Sequence, residues 1–141
     1  MPIISFSDRD ILRGTVVTPG WYRCKVNSVG EAPTVTAKGP SINYPVECTV
    51  LFNGDTGDTK YANVPIDFNF NSKAIGFAAG FLKAFGVDVQ ANKRFDLNAA
   101  ADKEVDIFIG NKEFQGRMLN DPQHQYRAPL ADVKPVETVS A

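Results

Sequence analysis

The chain has 141 residues, and its 15 Lys and Arg against 16 Asp and Glu give a formal net charge of −1. At 43% hydrophobic and 22% charged residues, the composition is typical of one globular domain and excludes a disordered or membrane protein. The near-zero charge excludes a nucleic-acid binder that works through its bulk field, but it leaves room for a local basic groove. Eleven Gly and nine Pro, with ten Phe and four Tyr, favour a β-rich fold with many turns.

We expect neither a signal peptide nor a membrane-spanning segment. The first residues include charges such as Asp8 and Arg13 and no hydrophobic run, unlike a secretory signal. The longest apolar stretch, Ala74–Phe85, is interrupted by Lys83 and is too short to cross a bilayer. The sequence therefore predicts a cytoplasmic protein with no membrane partner.

The two cysteines, Cys24 and Cys48, each fall inside a predicted strand. In a reducing compartment we expect them to be buried free thiols rather than a disulfide. The sequence has no Cys-x-x-Cys and no paired histidines, so it does not predict a structural zinc site.

The N-terminal third predicts a helical turn followed by a strand. Ser7 is placed to cap a short turn over Asp8–Arg13. Trp21–Val29 alternates as a half-buried strand, and Gly30–Pro40, with its Gly and Pro breaks, is expected to be a loop. The first strand has Tyr22, Cys24 and Val26 on one face and Trp21, Arg23, Lys25 and Asn27 on the other.

Two further strands precede the helix. Ile42–Phe52 has period-two hydrophobicity, Asn53–Asp58 is a hairpin connection, and Lys60–Phe70 is the partner strand. Pro65 lacks an N–H and indicates an edge or a bulge within that partner strand. The aromatic side chains expected in the core are Tyr44, Phe52, Phe68 and Phe70.

The helix is predicted to begin at a cap on Asn71 or Ser72 and to end at Gly86. Because apolar residues cover most of its surface, we expect protein to cover it on most sides. A strand at Val105–Ile109 follows, with Asp106 and Phe108 facing away from the apolar positions.

The C-terminal region is expected to contain a turn over Asn111–Gly116 and a short strand starting at Arg117–Leu119. The periodic pattern is lost from Gln125 onward. The sequence therefore predicts one domain over residues 1–129 and a flexible tail over residues 130–141.

Three strands, one helix and two strands predict a mainly β fold, namely a five-stranded OB-type barrel with one helix between strands three and four. Closure of the barrel would hide the strand edges. A small sandwich with a helix on one side has the same element count and is the alternative fold.

Candidate catalytic groups are few, so we do not predict an enzyme. His124 lies in a polar stretch that suggests a solvated turn, and the chain has no phosphate loop or nucleophile motif. A metal-dependent nuclease would need carboxylates such as Asp55, Asp58 and Asp67, but the first two fit a turn better than a cation site.

The outer face of the first strand is the strongest functional signal. Trp21, Arg23 and Lys25 occupy alternate positions there, and single-stranded nucleic acid is held by bases stacking on aromatic rings and by cations meeting phosphates. Phe108 is either a stacking platform or part of a second core. A solvated strand face anchored by a core Trp is the alternative interpretation. Residues that would extend the binding path are Lys38, Lys60, Tyr61, Lys112, Phe114 and Arg117.

The order of these elements resembles that of small phage-encoded single-stranded DNA-binding proteins of OB fold. The resemblance covers residues 12–129, and its order of elements is more specific than any single motif. The stretches that carry it are Pro19–Tyr22, Val46–Phe52, Phe77–Gly86, Asp102–Ile109 and Gln125–Arg127.

The resemblance implies sequence-tolerant protection of single-stranded DNA during phage replication or recombination, without a cofactor, in the host cytoplasm. Phage replication or recombination proteins are the further partners that it implies, and it leaves the oligomeric state open. Unlike many such proteins, this chain has no strongly acidic C-terminus, because Lys134 offsets Asp132 and Glu137. The positions whose chemistry fits the family's role are Trp21, Arg23, Lys25, Tyr61, Lys112 and Arg117.

A second hypothesis comes from a different class of protein. The scarcity of catalytic residues and the β-rich composition also fit a structural or assembly protein of a phage particle that does not bind nucleic acid.

Overall fold

The computed structural model describes residues 3–6, 11–12, 14–36, 39–72, 75–90 and 95–136, with backbone only at 34–36. Lys38 and most of the helical turn predicted over Asp8–Arg13 lie outside these residues. The elements are β1 (Gly20–Val29), β2 (Ala32–Thr36), β3 (Gly39–Asn53), β4 (Pro65–Asn71), α1 (Gly76–Ala84), a 3₁₀ turn (Leu97–Ala100), β5 (Glu104–Phe114) and β6 (Arg117–Arg127).

The strands form one antiparallel six-stranded sheet, and the mainly β class is confirmed, with α1 as the one full helix in the described residues. The sheet runs β2-β3-β1-β5-β6, and β4 pairs with β3. The register places Val26 opposite Cys48 and Trp21 opposite Phe108. Among the described residues no ladder joins β4 to β6, so the sheet is not closed.

The loop predicted over Gly30–Pro40 is wrong for Ala32–Thr36, because these residues form β2. This strand continues β1 in the same register along β3, because Val29 pairs with Val46 and Ala32 with Asn43. Pro33 suggested a break, but β2 lies at an edge of the sheet, where a proline without an N–H is tolerated.

The third predicted strand starts later than expected. Residues 60–63 form a turn in which the Asp58 carboxylate accepts the Lys60 N–H at 2.8 Å. Asn63 there takes a positive φ of 73°, which ends extended pairing. Pro65 is the first residue of β4, at the sheet edge, so the edge position inferred from Pro65 is confirmed.

The helix α1 is shorter than predicted at its start. Asn71 belongs to β4, and the Ser72 hydroxyl accepts the Ile42 N–H at 2.9 Å, so neither residue caps the helix. Gly86 follows the helix with φ +82°, as its predicted role as a stop requires. Phe81 is buried, but Phe77 is about half exposed, so the helix is amphipathic and one side stays open.

The last hairpin is longer than predicted. β5 continues to Phe114, and only Gln115 and Gly116 form the turn, each with positive φ. The turn predicted over Asn111–Gly116 is therefore wrong for its first four residues. They are exposed on both faces, so no hydrophobic alternation marks them as a strand.

The core fills the space between the inner sheet face and α1. Tyr44 and Phe68 pack against it from partly buried positions. Cys24 and Cys48 are buried free thiols, as predicted, and burial raises the pKa of Cys24. Residues at its centre include Tyr22, Cys24, Val26, Val46, Cys48, Ile66, Phe70, Phe81, Val105, Ile107 and Ile109.

The segment that follows β6, expected to be a flexible tail, contacts the body as far as Val136. The Arg23 guanidinium donates to the Leu130 carbonyl at 3.0 Å, and the Val136 N–H donates to the Gly57 carbonyl at 2.7 Å. Residues 137–141 lie outside the described part of the chain. No helix in that part is both long and apolar enough to cross a membrane.

Candidate nucleic-acid interface

Trp21 lies on the outer face of β1 and is partly buried. Its ring meets Phe108 edge-on at 5.6 Å between centroids, because the two residues pair across β1 and β5. The Arg127 guanidinium lies 4.4 Å from the Trp21 ring centroid. The sequence placed Trp21 and Phe108 on this face correctly but did not single out Arg127 as a site residue.

Arg23 also lies on this face, but the expectation that it projects into solvent is wrong. Its Nε donates to Asp106 Oδ1 at 2.6 Å, and Arg127 Nε donates to Asp106 Oδ2 at 2.9 Å. A register shift after Arg23 places Phe52 opposite it, with the guanidinium 5.0 Å from the ring centroid. Arg23 is therefore a buried partner of Asp106, which is itself fully buried.

Lys25 is the exposed cation of β1. Its Nζ lies 4.0 Å from Asp102, and Glu104 is its partner across β5. Two carboxylates near one ammonium leave little net positive charge at this end of the strand.

Lys60 and Tyr61 lie away from the face of Trp21. The Tyr61 ring meets Tyr22 edge-on at 6.1 Å, and Tyr22 points into the core. The Lys60 Nζ lies 5.2 Å above the Tyr61 ring. These two residues form a separate aromatic and cationic pair beside the core, so the structure does not bring them to the outer face of β1.

The hairpin of β5 and β6 brings three predicted site residues together. Phe114 pairs with Arg117 and Lys112 with Leu119, and residues two apart on a strand share a face. Lys112, Phe114 and Arg117 therefore lie on one face, all exposed, with 59% of Phe114 open to solvent. Met118 is also exposed but lies on the opposite face, across from Glu113.

A seam lined with aromatic rings separates β4 from β6. Phe70 and Phe81 pack against Tyr126 with centroid distances of 6.1 and 5.2 Å, so side chains meet where the backbones do not pair. Burial raises the pKa of Tyr126. This seam could not be predicted from a short final strand that starts at Arg117–Leu119, because Tyr126 lies near the end of β6.

His124 belongs to this seam, so its predicted position in a solvated turn is wrong. It lies in β6 with φ +54°, next to an irregularity in the β5–β6 register. Its Nδ1 lies 3.0 Å from the Tyr126 hydroxyl, and its ring stacks on Phe77 at 4.5 Å with 22° between the planes. Burial lowers the pKa of His124, and the nearby Asp121 carboxylate acts in the opposite direction.

Two cavities open beside α1. One, of about 450 Å³, follows the seam between β4 and β6, and Lys112 of the hairpin also lines it. The other, of about 560 Å³, is mainly apolar and lies between α1 and the paired strands β1 and β3, with Tyr44, Leu82 and Leu97 in its wall. Neither cavity was predicted from the sequence.

The three carboxylates considered for a metal site each have a different environment. Asp55 accepts from Arg127 at 2.6 Å, Asp58 accepts the Lys60 N–H, and Asp67 lines the seam cavity from β4. In the ranges that the structure describes, no three Asp, Glu, His or Cys side chains are grouped as a metal ion would require.

Comparison with models of known protein families and with curated proteins gives no match for this chain.

Proposed function

We propose that this protein binds single-stranded DNA with little sequence preference, through base stacking and phosphate contacts. The observation that supports this proposal is the exposed Phe114 ring between Lys112 and Arg117 on one hairpin face. An aromatic ring at a hairpin tip does not pack in the core, but a base can stack on it with a binding free energy of about 1–3 kcal/mol. The flanking cations suit the phosphates on either side of a stacked base.

The outer face of β5 offers a continuation of this path. Phe108, Lys112 and Phe114 are two or four residues apart on one strand, so they share a face, and Phe108 touches Trp21. A strand of DNA that follows this face would pass from the hairpin towards the partly buried indole of Trp21.

We also propose that the fold is an OB-type barrel. In its support, β1 pairs with both β3 and β5, β4 pairs with β3, β6 pairs with β5, and the helix falls between β4 and β5. The remaining contact between β4 and β6 is made by the aromatic side chains of the seam. OB-type barrels bind oligonucleotides on an exposed sheet face and its adjoining loops, which agrees with a binding site on a projecting hairpin.

Titration of Trp21 fluorescence with an oligothymidine at low salt tests the proposal, with a gel-shift assay in parallel. Trp21 is the sole tryptophan of the chain, and DNA that reaches its face will change its emission. We expect saturable quenching and a shifted band. The absence of both would overturn the proposal.

The biological setting follows only from the resemblance. We infer protection of single-stranded DNA during phage replication or recombination, in the host cytoplasm, with replication or recombination proteins as further partners. Co-purification of such a protein with the DNA-bound chain is the expected observation.

A structural or assembly role is the second candidate, favoured by the apolar N-terminal segment. Ile3, Ile4 and Phe6 are 91%, 75% and 68% exposed, more than a monomer ordinarily leaves uncovered in one short stretch. Size-exclusion chromatography with light scattering separates the candidates. A large closed ring or filament without affinity for DNA would favour assembly.

A further inference from the structure

The seam cavity contains a platform for a flat ring. Phe77 stacks on His124 and lines the cavity, and about half of the Phe77 surface is exposed. Because one face of the Phe77 ring lies against His124, the open half includes the other face. Aromatic pairs prefer offset stacking, so a third ring can extend this stack into the cavity.

Polar side chains line the same cavity beside this platform. Asp67 comes from β4, and Asp121 and Gln123 come from β6. Carboxylates accept hydrogen bonds and donate none when ionised. The cavity therefore suits an uncharged ring that carries N–H donors. The Lys112 ammonium in the same wall lies 3.8 Å from the Asp121 carboxylate and offsets its charge.

We propose that the seam cavity holds one unpaired nucleobase and favours bases with an exocyclic amine, such as cytosine, over thymine. Carboxylates accept from the cytosine amine, a donor that thymine lacks because it has an oxygen at that position. The volume of about 450 Å³ lies within the range of small-molecule sites. Lys112 connects the cavity to the hairpin face, because Lys112 lines the cavity and also belongs to the hairpin face.

This inference rests on the proposed DNA binding and adds a base preference to it. A base would stack on Phe77 while the neighbouring phosphates meet Lys112 and Arg117. The hairpin face then supplies affinity without discrimination, and the seam cavity supplies the discrimination.

The experiment compares oligodeoxycytidine with oligodeoxythymidine of equal length by fluorescence anisotropy. The measured quantity is the ratio of the two dissociation constants, so a general change in electrostatic attraction cancels. We expect the wild-type protein to bind oligodeoxycytidine about 5-fold more tightly, the lower end of the range that a base-edge contact supplies and a modest preference beside the affinity that all bases share. Asp67→Asn should lower this ratio towards one, and Gln123→Ala and Phe77→Ala are independent variants of the same cavity.

Two matched variants control the experiment. Glu47→Gln removes the same charge from the cross-strand neighbour of Asp67 and should leave the ratio unchanged. Phe114→Ala should weaken binding of both oligonucleotides equally. Thermal melts establish that each variant is folded.

The outcomes separate the two proposals. If neither oligonucleotide binds the wild-type protein, the proposed function fails and this inference fails with it. If both bind and the ratio does not respond to any of the three cavity variants, the proposed function stands and the nucleobase cavity is overturned. A ratio that falls with the cavity variants and holds with Glu47→Gln and Phe114→Ala supports it.

Discussion

Asp106 is a buried charge on the outer face of β1 and β5. Its two oxygens each accept from one arginine, Arg23 and Arg127, and it is 0% exposed. A Cβ atom at Gly54 would lie 3.0 Å from the Asp106 carboxylate, so no water layer separates the Gly54 backbone from this carboxylate. Removing one partner from a buried ion pair typically costs about 3–5 kcal/mol. We expect Asp106→Ala to lower the free energy of unfolding by that amount in urea denaturation.

Asp55→Ala is the matched control for this prediction. Asp55 also accepts from Arg127 at 2.6 Å, but about half of its side chain is exposed. Solvent screens such pairs, which typically contribute about 1 kcal/mol or less. Equal losses in Asp55→Ala and Asp106→Ala would contradict the buried role of Asp106.

His124 gives the fold a dependence on pH. Burial lowers the pKa of His124 in the folded state, so at neutral pH the imidazole is neutral in both the folded and unfolded states. As the pH falls below the ordinary histidine pKa, the unfolded chain takes up a proton first, and stability is lost until the folded pKa is passed. We expect His124 to contribute a loss of stability that begins near the ordinary histidine pKa of about 6.5 and continues as the pH falls to the lowered folded pKa.

The variant His124→Asn tests this contribution, because asparagine tolerates the positive φ at this position. Carboxylates titrate in both proteins, so the comparison is the difference between their two pH profiles of the free energy of unfolding. His124→Asn should lose less stability on acidification than the wild-type protein. Parallel profiles would contradict a histidine buried in its neutral form.

At the residue scale, alternation in the sequence predicts which face a side chain takes but not whether that face is covered. Arg23 and Asp106 were each assigned to the correct face of their strand. They are 83 positions apart in the chain, and only the β1–β5 register brings them together. The burial of Arg23 was therefore beyond reach of any local pattern.

At the scale of elements, the β5–β6 hairpin allows DNA affinity to be changed by a substitution that leaves the stability of the fold unchanged. Phe114 is exposed and lies beyond the core, so Phe114→Ala should leave the thermal melt unchanged. Loss of one stacked base should weaken single-stranded DNA binding by about 1–3 kcal/mol, measured by fluorescence anisotropy with oligothymidine.

Met118→Ala is the control for the hairpin, because Met118 is about as exposed as Phe114 but lies on the other face. It should leave DNA affinity unchanged. Equal weakening by Phe114→Ala and Met118→Ala would contradict a one-sided interface and would indicate that the hairpin acts through its shape alone.

Element boundaries were predictable where a core-facing pattern exists. Trp21–Val29 and Val105–Ile109 alternate because each has one buried face, and both are strands. β2 and the outer part of the last hairpin lack such a pattern. Their pairing is specified by register with a neighbouring strand, which single-sequence periodicity does not contain.

At the scale of the whole molecule, the strand and helix order was predictable except for β2, and sheet closure was not. Closure depends on whether β4 meets β6, and the sequence contains no signal for edges that approach through side chains. The aromatic seam, with Tyr126 at its centre, and the cavity beside it arise from this meeting. Sequence reasoning therefore found the hairpin residues of the site and missed the seam.

The net charge of −1 places the electrostatic part of DNA binding on a few exposed cations. For single strands, the slope of log affinity against log salt is about −0.7 for each phosphate contact. If Lys112 and Arg117 each neutralise one phosphate, the double variant Lys112→Gln/Arg117→Gln should flatten that slope by about 1.4. The measurement is oligothymidine affinity over a series of sodium chloride concentrations.

The control for this double variant must remove the same charge elsewhere. Lys83 on α1 and Lys103 before β5 are exposed and lie away from the hairpin tip, so Lys83→Gln/Lys103→Gln lowers the net charge equally. If direct contacts between these cations and phosphates determine the salt dependence of binding, only the hairpin variant changes the slope, because counterion release occurs where cations meet phosphates. If both double variants change the slope alike, the protein binds through its overall field, and the hairpin face is not the interface.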